Sequence, residues 1–131
     1  MSYPMKKTTL LALAFSVLFA SPSYADWTKV GAGLRGNIFY VDFESIRKQD
    51  GFVQYRSLTD YSKPNLFGSL SAIVYKQGDC KQFRFRNFSY SFHTEPMGGG
   101  SSVVEASDDK DWKYPPPDSS LEYILKAVCS K

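Results

Sequence analysis

The stretch from Asp79 to His93, Asp-Cys-Lys-Gln-Phe-Arg-Phe-Arg-Asn-Phe-Ser-Tyr-Ser-Phe-His, constrains the chain more than any other. Phe83 and Phe85 alternate with Arg84 and Arg86. Phe88, Tyr90 and Phe92 then alternate with Ser89 and Ser91. A period of two between aromatic and polar residues predicts a half-buried strand. A strand of this length is the spine of a sheet, and the rest of the chain must pair with it or cover it.

Its phase breaks midway. Phe83 and Phe85 are odd-numbered, whereas Phe88, Tyr90 and Phe92 are even-numbered, and a regular strand points these to opposite faces. Either a β-bulge near Arg86-Asn87 resets the phase, or each face is apolar at a different end. In the second case Phe88, Tyr90 and Phe92, with Arg84 and Arg86 beside them, form an exposed patch of the kind that marks a binding or dimer interface.

The N-terminus carries a different pattern. Lys6 and Lys7 precede an apolar run from Leu10 to Ala20, and Ser23-Tyr24-Ala25 supplies small residues for cleavage. That is the layout of a secretory signal peptide over residues 1–25, too short in its apolar part for a spanning helix. With no cysteine beside the cleavage site, a lipid anchor is not expected, and the protein is expected in the periplasm or at the cell surface. Loss of Lys6 and Lys7 takes the formal net charge from +3 to +1. Residues 26–131 form one domain, without the net basic field that nucleic-acid binding or a polybasic membrane patch requires.

Two cysteines in an exported chain imply one disulfide, Cys80–Cys129. A metal site built on them lacks partners, because His93 is the only histidine.

Strands are expected at Asp26–Val30, Ile38–Asp42, Phe52–Tyr61, Leu66–Lys76, the opening stretch, and Ser101–Ala106. Asp42 is placed to cap a helical turn through Phe43 to Ile46. Lys48 to Gly51 and Gln77 to Asp79 read as turns, and Gly98-Gly99-Gly100 as a flexible hairpin loop. Pro115-Pro116-Pro117 delivers the chain to one helix. Ser119 and Glu122 make a capping box there, and Leu121, Ile124, Leu125 and Val128 recur at helical spacing. The result is a two-layer α+β domain: an antiparallel sheet of about six strands, one face covered by a disulfide-linked C-terminal helix.

No nucleophile elbow, phosphate loop, zinc spacing or calcium loop is present, so no catalytic residue, metal or cofactor is assigned. His93 reads as a surface or structural residue at a strand end.

In order, the chain holds Trp27 and Val30; Tyr40-Val41-Asp42 with Ser45-Ile46; Thr59-Asp60-Tyr61 with Pro64; Asp79-Cys80-Lys81 with Arg84 or Arg86; and Trp112, Pro117 and Ser119 before a helix ending in Cys129. Across residues 26–131 it resembles the surface-adhesin protein E-like family of small exported proteobacterial proteins. The resemblance implies a sheet of about six strands, a disulfide-held helix, and binding of host extracellular proteins. The expected function is therefore a non-enzymatic binding module with a protein partner. The alternatives are an envelope accessory protein acting as a homodimer and a lysozyme-type inhibitor, although a cationic target would favour a more acidic inhibitor.

Overall fold

A computed structural model describes residues 25–131. The expected signal segment, apart from Ala25, lies outside the described residues. Seven strands follow in order: β1 (Trp27–Ala32), β2 (Ile38–Asp42), β3 (Arg47–Gln49), β4 (Phe52–Asp60), β5 (Ser71–Asp79), β6 (Arg84–His93) and β7 (Ser102–Ala106). One α-helix, α1 (Ser120–Cys129), closes the chain. All neighbouring strands are antiparallel, in the order β1-β2-β4-β5-β6-β7, with β3 also on β4. The α+β reading holds, and β3 is the strand beyond the expected set.

The added strand shortens a turn. Lys48 and Gln49 pair with Val53 and Phe52, leaving Asp50-Gly51 as a two-residue hairpin. Both have positive φ, 54° and 82°, which is what such a hairpin demands and what Asp-Gly tolerates. The fourth expected strand is displaced. It begins at Ser71, because the Asn65 side-chain oxygen accepts from the amides of Phe67 and Ser69 and folds Leu66–Gly68 into a turn. Gln77-Gly78-Asp79 is correspondingly strand. The turn comes afterwards, where Asp79 Oδ1 accepts from the amides of Lys81 and Gln82 and Phe83 takes φ 53°.

Register assigns the faces. Val41–Ser57–Val74–Tyr90 and Val53–Gly78–Phe85 are cross-strand rows on one side. Phe52–Asp79–Arg84, Gln54–Gln77–Arg86 and Leu58–Ile73–Ser91 lie on the other, since side chains alternate along each strand. Helix α1 covers the first side, packing on β1, β2 and β4. Ile124, Leu125 and Val128 are buried there against Val41, Val53 and Tyr55. Ser119 Oγ accepts from the Glu122 amide at 3.2 Å, so the cap forms as expected. Glu122 itself turns to Lys126 instead of completing the box.

Two features fix the helix. Its last residue is bonded to Cys80, so the Cys80–Cys129 disulfide ties it to the turn before β6. Gly78 allows its close approach: a Cβ there would stand 2.9 Å from Leu125 Cδ1 and 3.0 Å from Val53 Cγ2. A glycine inside a strand marks such a contact.

The bulge in β6 is present, one step later than Arg86-Asn87. Lys76 pairs with Asn87 and Tyr75 with Ser89, so Phe88 is the surplus residue. The glycine loop is not a free hairpin. The Met97 amide donates to Asp60 Oδ1, the Gly98 amide to Ser71 Oγ, and Ser71 Oγ to the Glu95 carbonyl. It lies across the helix-free side over Ile73 and the fully buried Leu58. Asp42 is also reassigned: its side chain makes no cap bond and pairs with Arg56 at 2.6 Å.

Candidate functional site

The bulge divides the expected patch. On the helix-free side, Arg84, Arg86 and Phe88 come together. Tyr90 and Phe92 point to the helix side, outside the cluster packed with α1, with their rings stacked 6.3 Å apart. None of Phe88, Tyr90 and Phe92 is fully buried.

What gathers Arg84, Arg86 and Phe88 is Trp112, which arrives from the far edge of β6. After β7 the chain leaves that edge and returns at Lys113, whose amide and carbonyl bond the carbonyl and amide of Phe85 at 2.8 and 2.9 Å. Its neighbour Trp112 stacks on Phe52 with ring centroids 5.6 Å apart. Arg84 Cζ stands 4.4 Å and Arg86 Cζ 4.6 Å from the Trp112 ring centroid. Arg86 also lies 5.5 Å from the Phe88 ring, which sits 5.8 Å from that of Tyr75. Guanidinium groups on aromatic faces are held electrostatically while their edges stay free for other partners.

The polar framework underneath is specific. Arg84 Nε donates to Asp79 Oδ2 at 2.9 Å, and Arg86 Nε to Gln77 Oε1 at 2.8 Å. Tyr75 Oη donates to Gln54 Oε1 at 2.8 Å. Burial pushes the Asp79 carboxyl upward, but the Arg84 side chain and the Gln82 and Lys81 amides outweigh it and hold the group below its ordinary value. Asp79 stays ionised and fixes Arg84.

A second concave region lies on the helix side, where Tyr90 and Phe92 emerge. Phe67, Phe92, Val103, Thr94 and Glu105 line a groove of about 490 Å³. Phe67 is 91% and Val103 65% exposed, so the groove is open.

His93 is buried, not a surface residue. Its Nε2 lies 2.8 Å from Ser91 Oγ, its Nδ1 has no partner, and burial lowers its pKa. Among the described residues no three of His, Cys, Asp and Glu gather as a metal site would need. No helix there is long and apolar enough to cross a membrane.

Sequence reasoning named Arg84, Arg86 and Phe88 but not their organiser. Trp112, Phe52, Tyr75 and Gln77 complete the cluster. The usable signal was the pairing of a lone Trp in a charged loop with two strand arginines. Lys76, 4% exposed, was missed for the opposite reason: alternation places it in the core, where a lysine is unexpected.

The family model for surface-adhesin protein E matches residues 27–130. Among solved structures, protein E from non-typeable Haemophilus influenzae superposes with a TM-score of 0.62 at 18% identity, over 84% of this chain and 79% of that one. A second structure of Haemophilus influenzae protein E gives 0.61 at 17% identity, over 83% and 87%. At these identities the superposition speaks to fold. Comparison with curated proteins gives no sequence match.

Proposed function

We propose that this chain, which belongs to the surface-adhesin protein E family, is an exported, non-enzymatic binding module that engages a host extracellular protein through the helix-free side of its sheet. The observation that carries the reading is the cluster of Phe52, Tyr75, Arg84, Arg86, Phe88 and Trp112 on that side. Aromatic and arginine side chains are the residue types that dominate binding energy at protein interfaces. The glycine loop covers only the opposite end of this side, leaving the cluster open. Export through the expected signal segment would carry the chain out of the cytoplasm, which such binding requires.

The test combines exposure and binding. Antibody labelling of intact cells expressing the full chain should stain the surface. The purified protein should bind an array of host extracellular proteins, and Trp112→Ala should abolish capture while the fold is retained. Protein confined to the periplasm, or capture indifferent to Trp112→Ala, would overturn the reading.

A further inference from the structure

We infer that the open side carries a two-guanidinium site for carboxylates, fitted to an extended acidic segment of the protein partner. The inference rests on the binding reading above and adds the chemistry of what is bound. Arg84 and Arg86 are used alike. Each commits its Nε inward, to Asp79 Oδ2 and Gln77 Oε1 respectively. Arg84 has only the Asp79 ion pair and Arg86 has none among the described residues. Both residues are partly exposed, the Arg84 side chain at 22%. The inward bonds and the Trp112 ring fix the guanidinium planes, and the outer edge of each remains as a two-pronged donor. That edge matches a carboxylate in a bidentate pair.

Spacing sets the form of the ligand. The two arginines are two apart on one strand and share one ring. Both guanidinium carbons therefore lie within the sum of 4.4 and 4.6 Å of each other. Carboxylates on alternate residues of an extended peptide repeat about every 7 Å. A Glu-x-Glu segment running along β6 thus presents one carboxylate to each arginine. The aromatic rings of Phe52, Phe88 and Trp112 lie beside the arginines and would shield a bound carboxylate pair from water, which strengthens it. A polysulfated glycan is the less suitable partner. It calls for a broad basic field, whereas the exported chain has formal charge +1 once Lys6 and Lys7 are removed.

The experiment uses the exported, disulfide-bonded protein and a fluorescent eight-residue Ser-Glu repeat at low salt, with a Ser-Gln repeat and a heparin fragment as parallel probes. The Ser-Glu peptide should bind and the Ser-Gln peptide should not. Arg86→Gln should weaken binding by about tenfold or more. Arg86→Lys should restore only part of it, because charge returns without the fork. Lys126→Gln, on the helix, should change nothing. No binding of the Ser-Glu peptide, equal binding of both peptides, indifference to Arg86→Gln, or binding of heparin alone would each overturn the site. If the site binds the acidic peptide while no host protein is captured, the adhesion reading fails and the site stands. Capture of a host protein unaffected by Arg86→Gln fails the site and leaves adhesion standing.

Discussion

The Lys76 ammonium lies 5.1 Å from the centroid of the Phe85 ring, inside the helix side of the sheet, with the residue 4% exposed. Burial lowers its pKa from 10.5 to about 8. The ring face returns part of what desolvation removes, and Lys76 has no ion pair among the described residues.

The pH dependence follows. Between about pH 8 and 10.5 the unfolded chain holds a proton on Lys76 that the folded chain has released. Stability therefore rises with pH across this window. Below it both states are charged, and burial costs at most about 3 kcal/mol. Tyr55 acts the other way above pH 10, since burial raises its pKa and only the unfolded chain ionises early. Urea titrations at pH 7, 8 and 9.5 should show a rising midpoint. Lys76→Met should flatten the rise and stabilise the protein at pH 7 by about 1–3 kcal/mol. A flat wild-type profile would contradict the assignment.

Gly78 should tolerate no side chain. The Leu125 and Val53 contacts at 2.9 and 3.0 Å mean that Gly78→Ala must displace these two core side chains. The expected loss is about 1–3 kcal/mol, measured as a lower denaturation midpoint. Gly51→Ala is a useful contrast: it meets no atom within 4 Å, and only its φ of 82° opposes it.

Cys80→Ser with Cys129→Ser opens a link between residues 49 apart. The chain-entropy account gives a loss of about 4 kcal/mol. Thermal unfolding with and without reductant should show the same drop in the wild type, and none in the double variant.

Asn87 and Tyr90 give a smaller test. Asn87 Nδ2 donates to Tyr90 Oη at 3.0 Å, beside a buried Asn87 Oδ1 with no partner. Tyr90→Phe removes the one acceptor and should cost about 1 kcal/mol. Binding to the helix-free side should be unchanged, because Tyr90 faces away from it. A parallel loss of binding would show that the two sides are coupled.

The parts of the fold that follow from local chemistry were readable in the sequence. Helix α1 has its cap residue, its apolar stripe and its cysteine in order, and β6 announces itself by alternation. The start of β5 was not readable, because Leu66 and Phe67 look like strand residues and are 99% and 91% exposed in a turn made by Asn65. Gly78 reads as a turn residue in sequence, because the sequence does not show a helix packed above it. The split of the candidate patch had the same origin. The phase break allows a bulge or two half-apolar faces, and whether Phe88 travels with the arginines or with Tyr90 depends on which single residue is surplus. Trp112 is 20 positions or more from both arginines in sequence, so its place over them is set by the return of the chain to Phe85.

The surplus residue makes the strand easy to edit genetically. Because Asn87 pairs with Lys76 and Ser89 with Tyr75, in-frame loss of the one codon for Phe88 would leave an unbroken ladder, with every other residue of β6 on its present face. Three nucleotides would therefore take one ring off the open side without turning the rest of the strand over.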